Sequence, residues 1–314
     1  MRRLACLAGL LAAAVAAAPD TAAPRGETAY RAPHATRAPM LAVARAGARL
    51  VAAGDFGSVL LSDDEGRSWR QAAKVPTRLT LTALSFADAR NGWAVGHGGI
   101  VLATRDGGEN WERRHDAGSD VALFAVRFSD ARHGVAVGAF GFAMETADAG
   151  ANWRRLEVGR GELADRHLYA LFLDRNGNLW ITAESGTLFR REAGSGAFAA
   201  VSLPARASMW GGLALADGGL LVWGMRGRIL RSDDGGRNWN EMASGTRQAL
   251  TAGVQLAGGE IVLAGLGGVV VRSRDGGRGF AAETRPERQS HTALFEAGGA
   301  LHTFTLAGLG GGIH

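Results

Sequence analysis

The side chains whose type and spacing could do chemistry are, first of all, arginines. Eight or nine residues past a recurring aromatic position stand Arg78, Arg206, Arg247 and Arg288; Arg166 takes the same place after an insertion, and Asp120 takes it in one repeat. A guanidinium is a planar fork of donors that stays charged, so five of them around one opening would attract carboxylates, phosphates or a peptide backbone. Arginines near turns also serve as plain solvated surface, and this chain is arginine-rich throughout. A second chemistry is legible in Tyr169 and Glu184 with Asp55 or Asp165, a phenol and carboxylates of the kind that cleave glycosidic bonds.

A repeat positions these groups. Stretches 62–69, 104–111, 146–153, 232–239 and 273–280 all fit Ser/Thr-x-Asp-x-Gly-x-x-aromatic, the Asp-box. Trp69, Trp111 and Trp153 stand 42 residues apart, and Trp239 and Phe280 stand 41 apart, a period that marks a repeated supersecondary unit. The gap from Trp153 to Trp239 is 86 residues. Aligning 186–198 under 99–111 recovers the missing unit, with Phe198 in the aromatic place and Ala193 where the aspartate should stand. In each box the carboxylate of Asp64, Asp106, Asp148, Asp234 or Asp275 can accept hydrogen bonds from its own turn, and glycine supplies a positive φ. These aspartates are expected to be structural staples and not catalysts.

Between boxes each unit reads as four short strands. In the second, the runs 81–86, 92–95, 100–104 and 111–113 are apolar or β-branched and are separated by turn residues. Four strands in about forty residues is the pattern of a propeller blade. Seven blades are expected over 40–314, with six as the alternative. The last unit lacks its outer strands, and the segment 24–39 is expected to supply a closing strand to it. Box turns fall on one end of such a ring, and the loops that open each new blade fall on the other. That second end would carry Asp55-Phe56, His97, Ala139-Phe140, Glu184-Ser185, Met225-Arg226 and Leu266 beside the arginines. Exposed Phe56, Phe140 and Met225 next to Arg226 and His97 suit a protein partner, although each apolar side chain could equally pack on a neighbouring blade.

Composition fits one large β domain. The chain has 314 residues, 47 of them glycine, with 46% hydrophobic residues and a formal charge of +5. Arg2 and Arg3 precede an uncharged run, 4–18, and small residues follow, so 1–23 is expected to be a secretory signal peptide. Cys6, the single cysteine, falls inside it. A mature protein in the periplasm or thylakoid lumen would then carry no thiol, make no stable membrane insertion and act as a monomer. The eight histidines show no close ligand spacing, so no metal or other cofactor is expected. No interleaving of aromatic and basic residues argues for nucleic acid.

The run 91–111, Asn-Gly-Trp-Ala-Val-Gly-His-Gly-Gly through to Trp111, is echoed at 133–138 and 148–153. It resembles the photosystem II stability and assembly factor family of Asp-box propellers. The resemblance covers nearly all of 40–314 and implies a non-catalytic secreted factor that binds a membrane-protein subunit or an envelope protein complex. The Asp-box itself is shared with sialidases, which keeps a glycoside hydrolase as the alternative. The Arg-Ile-Pro run that precedes the first sialidase box is absent, with Ala38-Pro39-Met40 in its place.

Overall fold

The second strand of each unit is apolar along its whole length, and Gly92–Gly96, Gly134–Gly138, Leu179–Ala183, Leu220–Gly224 and Ile261–Gly265 are buried at every position. A strand buried on both faces must lie between two other sheets. A computed structural model, which describes residues 27–313, shows that arrangement. The signal peptide expected over 1–23 lies outside the described residues, as does the start of the arm. Seven antiparallel sheets follow one another as blades 1 to 7, spanning 40–71, 81–116, 123–155, 168–202, 209–242, 250–284 and 291–309. Six have four strands and the seventh has three.

The core is distributed as one apolar cluster per junction between neighbouring blades. The cluster that closes the ring joins Met40, Leu50 and Leu60 of blade 1 to Ala293, Phe295 and Phe304 of blade 7. Trp69 meets Phe295 and Phe304 edge-on there, with ring centroids 5.9 and 5.3 Å apart.

The seven-blade expectation holds, but the closing strand differs. Gly308–Leu309, near the C-terminus, forms the third strand of blade 7 by pairing with Ala300–Thr305, and no strand of the described N-terminal arm joins that sheet. Beyond it, Gly310 and Ile313 donate to the carbonyls of Thr303 and Leu301. The arm instead runs along the outside of blade 1, where Ala29 N–H meets Val75 O at 2.9 Å and Gln71 clasps the backbone of Tyr30 and Ala32. Its single turn Ala35–Arg37 touches the last strand.

Every innermost strand carries the same irregularity. The pairing with the second strand skips one residue, so that Leu41, Thr82, Phe124, Tyr169, Trp210, Thr251 and Thr292 fall out of register. Such a bulge frees one side chain from strand alternation and re-aims it. In five blades a glycine ends the second strand opposite it, while Ala183 and Thr305 stand there in blades 4 and 7. A Cβ on Gly54, Gly96, Gly138, Gly224 or Gly265 would stand only 1.9–2.1 Å from the carbonyl oxygen just before the innermost strand.

Candidate functional site

The box turns form as their residue types require. In blade 2, Thr104 Oγ1 donates to Asp106 at 2.8 Å, and Asn110 donates to both carboxylate oxygens at 2.9 and 2.8 Å. Trp111, fully buried, returns its indole N–H to the Gly108 carbonyl at 2.8 Å. The hydroxyl and backbone bonds recur at Asp64, Asp148, Asp234 and Asp275, and the indole bond recurs at Trp69 and Trp239. They hold the carboxyls of Asp64, Asp148 and Asp234 down to about 2, through Ser68, Asn152 and Asn238 respectively. With their oxygens occupied and their charge fixed, these side chains cannot act as acids near neutral pH. Blade 4, which lacks its aspartate, ties the turn differently. Asn178 accepts the Ala193 N–H at 3.0 Å and donates to Asp174 at 2.8 Å, and Asp174 also takes the Trp180 indole N–H.

The opposite end gathers the loops named from the sequence. In blade after blade the loop between second and third strands abuts the loop that leads into the next blade: a Cβ on Gly57 would reach Thr77 O, and one on Gly141, Gly186, Gly227 or Gly268 would touch Ala164, Ala205, Thr246 or Arg288. Phe56 and Phe140 are 59% and 72% exposed. Both sit in the left-handed region, at φ 56 and φ 51, where blades 2 and 6 use Gly98 and Gly267. A bulky residue there is strained, so the fold itself does not call for a phenyl ring at either place. Met225 and Leu266 are also exposed, as are His97 and Arg226, the latter left-handed at φ 59.

The arginines share one offset, three residues before the innermost strand, but they are not equivalent. Arg206, Arg247 and Arg288 are exposed and have no acidic partner within 4 Å among the described residues. Arg78 is engaged by the arm, for its Nε donates to Thr28 O at 3.1 Å, Glu27 lies 3.7 Å away, and the Tyr30 ring sits 4.1 Å beneath its guanidinium. Arg166 departs from the expected register. Asp165 holds the shared offset in blade 4, and Arg166 follows it, half-buried, with Nε enclosed and unpartnered. Asp120 holds the place in blade 3. Counting back from the innermost strand also adds exposed Arg37 in blade 1, which counting forward from a box could not find because no box precedes it. The result is an arc of arginines over blades 5, 6, 7, 1 and 2, facing two acids over blades 3 and 4. A groove of about 700 Å³ bordered by Arg226 and Arg247 opens beside the arc.

Tyr169 and Glu184 do come together, with the phenol oxygen 3.5 Å from Glu184 Oε1, while Glu184 Oε2 accepts the His167 N–H at 3.0 Å. Burial first, and the charge of Glu184 second, push the phenol's pKa up. A second cavity, about 630 Å³, lies between blades 3 and 4 on the box end, where Glu145 pairs with both Arg154 and Arg191. Among the described residues no three His, Cys, Asp or Glu side chains converge as metal ligands, and no helix is long and apolar enough to cross a membrane.

Comparison with known proteins bears out the resemblance read from the sequence. Residues 71–159 match the family described as photosynthesis system II assembly factor YCF48. Among solved structures, "YCF48 bound to D1 peptide" superposes with a TM-score of 0.72 at 19% identity, covering 91% of this chain and 94% of that one. YCF48 from Cyanidioschyzon merolae gives 0.70 at 16%, covering 91% and 97%. Virginiamycin B lyase from Staphylococcus aureus gives 0.71 at 12%, covering 87% and 94%. At these identities the likeness establishes the propeller fold, which enzymes and binding proteins share. No curated protein matches the sequence.

Proposed function

We propose that this chain is a non-catalytic binding propeller that serves as an assembly or stability factor for a membrane-protein complex, docking an extended acidic segment of a client subunit on its arginine-bearing end. The observation that carries this is the arc: Arg206, Arg247 and Arg288 recur at one offset, exposed and unpaired by acids among the described residues, on the end that also presents strained, exposed aromatics. Arginines and aromatics placed together are the composition of interface centres. The family match over 71–159 and the common fold with a protein whose structure holds a D1 peptide support the same role. The leader expected over 1–23 puts the work in the periplasm or thylakoid lumen. In a host without photosynthesis the client becomes an envelope complex. We take it to act as a monomer, since a closed ring of blades leaves only short outer edges for pairing.

Replacing Arg206, Arg247 and Arg288 together with Glu reverses three charges without touching a blade core. Pull-down from envelope extracts is expected to lose the client at least about tenfold, as truncation of a few central interface residues commonly does. Undiminished recovery would remove the proposal. The approach of Tyr169 to Glu184 favours a second reading, a sialidase-like hydrolase, but a phenol whose pKa is raised is the reverse of an activated nucleophile. Turnover of fluorogenic sialosides or glucosides that Glu184→Gln abolishes would establish that enzyme; none is expected.

A further inference from the structure

The seven bulged positions differ around the ring. In blades 2, 6 and 7 the residue is threonine, and its hydroxyl closes on the first residue of the next innermost strand. Thr82 donates to Leu123 O at 2.7 Å, Thr251 to His291 O at 2.7 Å and Thr292 to Met40 O at 2.6 Å. The scaffold thus has its own use for the position. Blades 3, 4 and 5 carry Phe124, Tyr169 and Trp210 there instead. The rings of Phe124 and Tyr169 lie 6.0 Å apart and nearly parallel, and Trp210 meets Tyr169 at 6.4 Å and 61°. All three keep partial exposure, and Phe140 extends the crescent to the rim, 4.6 Å from the His167 ring. The Phe140 N–H donates to His167 Nδ1, which places that ring's own proton on Nε2, on the side of Glu184.

This is also the acidic side of the opening. Asp120 and Asp165 take the offset that arginine holds in the other five blades, and neither has a cationic partner within 4 Å among the described residues. Glu184 has only His167, at 4.0 Å. Arg166, the nearest cation by sequence, is half-buried. Elsewhere the chain lays four guanidiniums over aromatic rings at 4.0–5.5 Å, yet none of them over these rings. Partly exposed aromatic rings beside carboxylates without a guanidinium or ammonium partner are complementary to a cation.

We propose that the Phe124–Tyr169–Trp210 crescent is a pocket for one Lys or Arg side chain of the client segment, whose acidic stretch lies on the arginine arc opposite. This rests on the docking reading above and deepens it, since a mouth with two poles fixes the direction in which the segment lies. The test uses three short fluorescent acidic peptides that differ at one position, Lys, Ala or Phe, with affinity read by anisotropy. The Lys peptide is expected to bind roughly tenfold tighter than the Ala peptide. Tyr169→Thr with Trp210→Thr, the residue that blades 2, 6 and 7 use there, should erase that preference, leave Ala-peptide binding in place and leave the melting temperature close to that of the parent. Arg206→Glu with Arg247→Glu should weaken all three peptides. A Phe peptide that binds as well as Lys, or a Lys preference that survives the double threonine change, overturns the pocket and leaves the arginine arc standing. Charge reversal that weakens none of the peptides overturns the arc itself, and the two-pole mouth with it.

Discussion

Asp106→Ala removes the acceptor at the centre of the blade 2 box, and its cost can be worked from the bonds lost. Asn110 is exposed, so its backbone and side-chain donors, 2.9 and 2.8 Å from the carboxylate, pass to water. Thr104 has no such outlet. It is 3% exposed, its oxygen already accepts the Gly108 N–H at 3.0 Å, and its proton would be left without an acceptor. Losing an exposed capping acceptor costs about 1 kcal/mol, and a buried orphaned donor adds about 1 to 2 more. A loss of roughly 2 to 3 kcal/mol lowers Tm by on the order of 4 to 10 °C in a domain of this size. Burial opposes ionisation of Asp106, but the bonds from Asn110 and Thr104 prevail and hold the carboxyl below 3.8. A carboxylate depressed on folding stabilises fully above its unfolded value, and that contribution is lost as pH falls through the folded one. The difference between parent and variant is therefore full at neutral pH and narrows as pH drops past 3.8. Calorimetric melts at neutral pH and near about pH 3 check both statements. Co-melting at neutral pH, or a gap that widens in acid, would refute the staple.

Two further outcomes follow from the backbone. Gly96→Ala sets a Cβ 2.0 Å from the Thr80 carbonyl oxygen, a contact that no rotamer relieves. It should cost at least about 2 kcal/mol, and faster amide exchange along Leu81–Phe86 would show the bulge opening. In blade 4, Asn178→Ala orphans the Ala193 N–H and part of Asp174, a loss of roughly 1 to 3 kcal/mol by chemical denaturation. Ala193→Asp, in contrast, should bring no gain, because Arg191 and Ala197 stand where Thr104 and Asn110 stand in the intact box.

The period and chemistry of the boxes made the blades legible, down to the unit that had lost its aspartate. The second strand of the unit read in detail was legible too, since a strand sandwiched between sheets must be apolar throughout, as 92–96 is. The closing strand was not. Gly308–Leu309 is two residues long, too short for any alternation to show, and it is set by Gly308 at φ 101 turning under the Thr36 carbonyl. The arm's destination was equally hidden, because Tyr30 is placed by the guanidinium of Arg78, far along the chain in blade 1's exit loop. At the candidate site, spacing found Arg78, Arg206, Arg247 and Arg288 but placed Arg166 one residue out, because the insertion before blade 4 leaves Asp165 at the common offset. The crescent escaped altogether. Phe124 and Trp210 read as ordinary strand residues, and Tyr169 as a partner of Glu184, until the skipped pairing reveals that the three share one position.

Seven skipped residues, one per blade, amount to a rewritable inscription on a rigid rim. Each of the seven sits outside the ladder of its own sheet, and where threonine is not tying it to the next blade its identity can drift with that ladder intact. Proteins of this shape with little else in common could then be sorted by reading those seven letters together with the seven that stand three residues before the innermost strands. Here the two words are Leu-Thr-Phe-Tyr-Trp-Thr-Thr and Arg-Arg-Asp-Asp-Arg-Arg-Arg, and a change of cargo would be written there first.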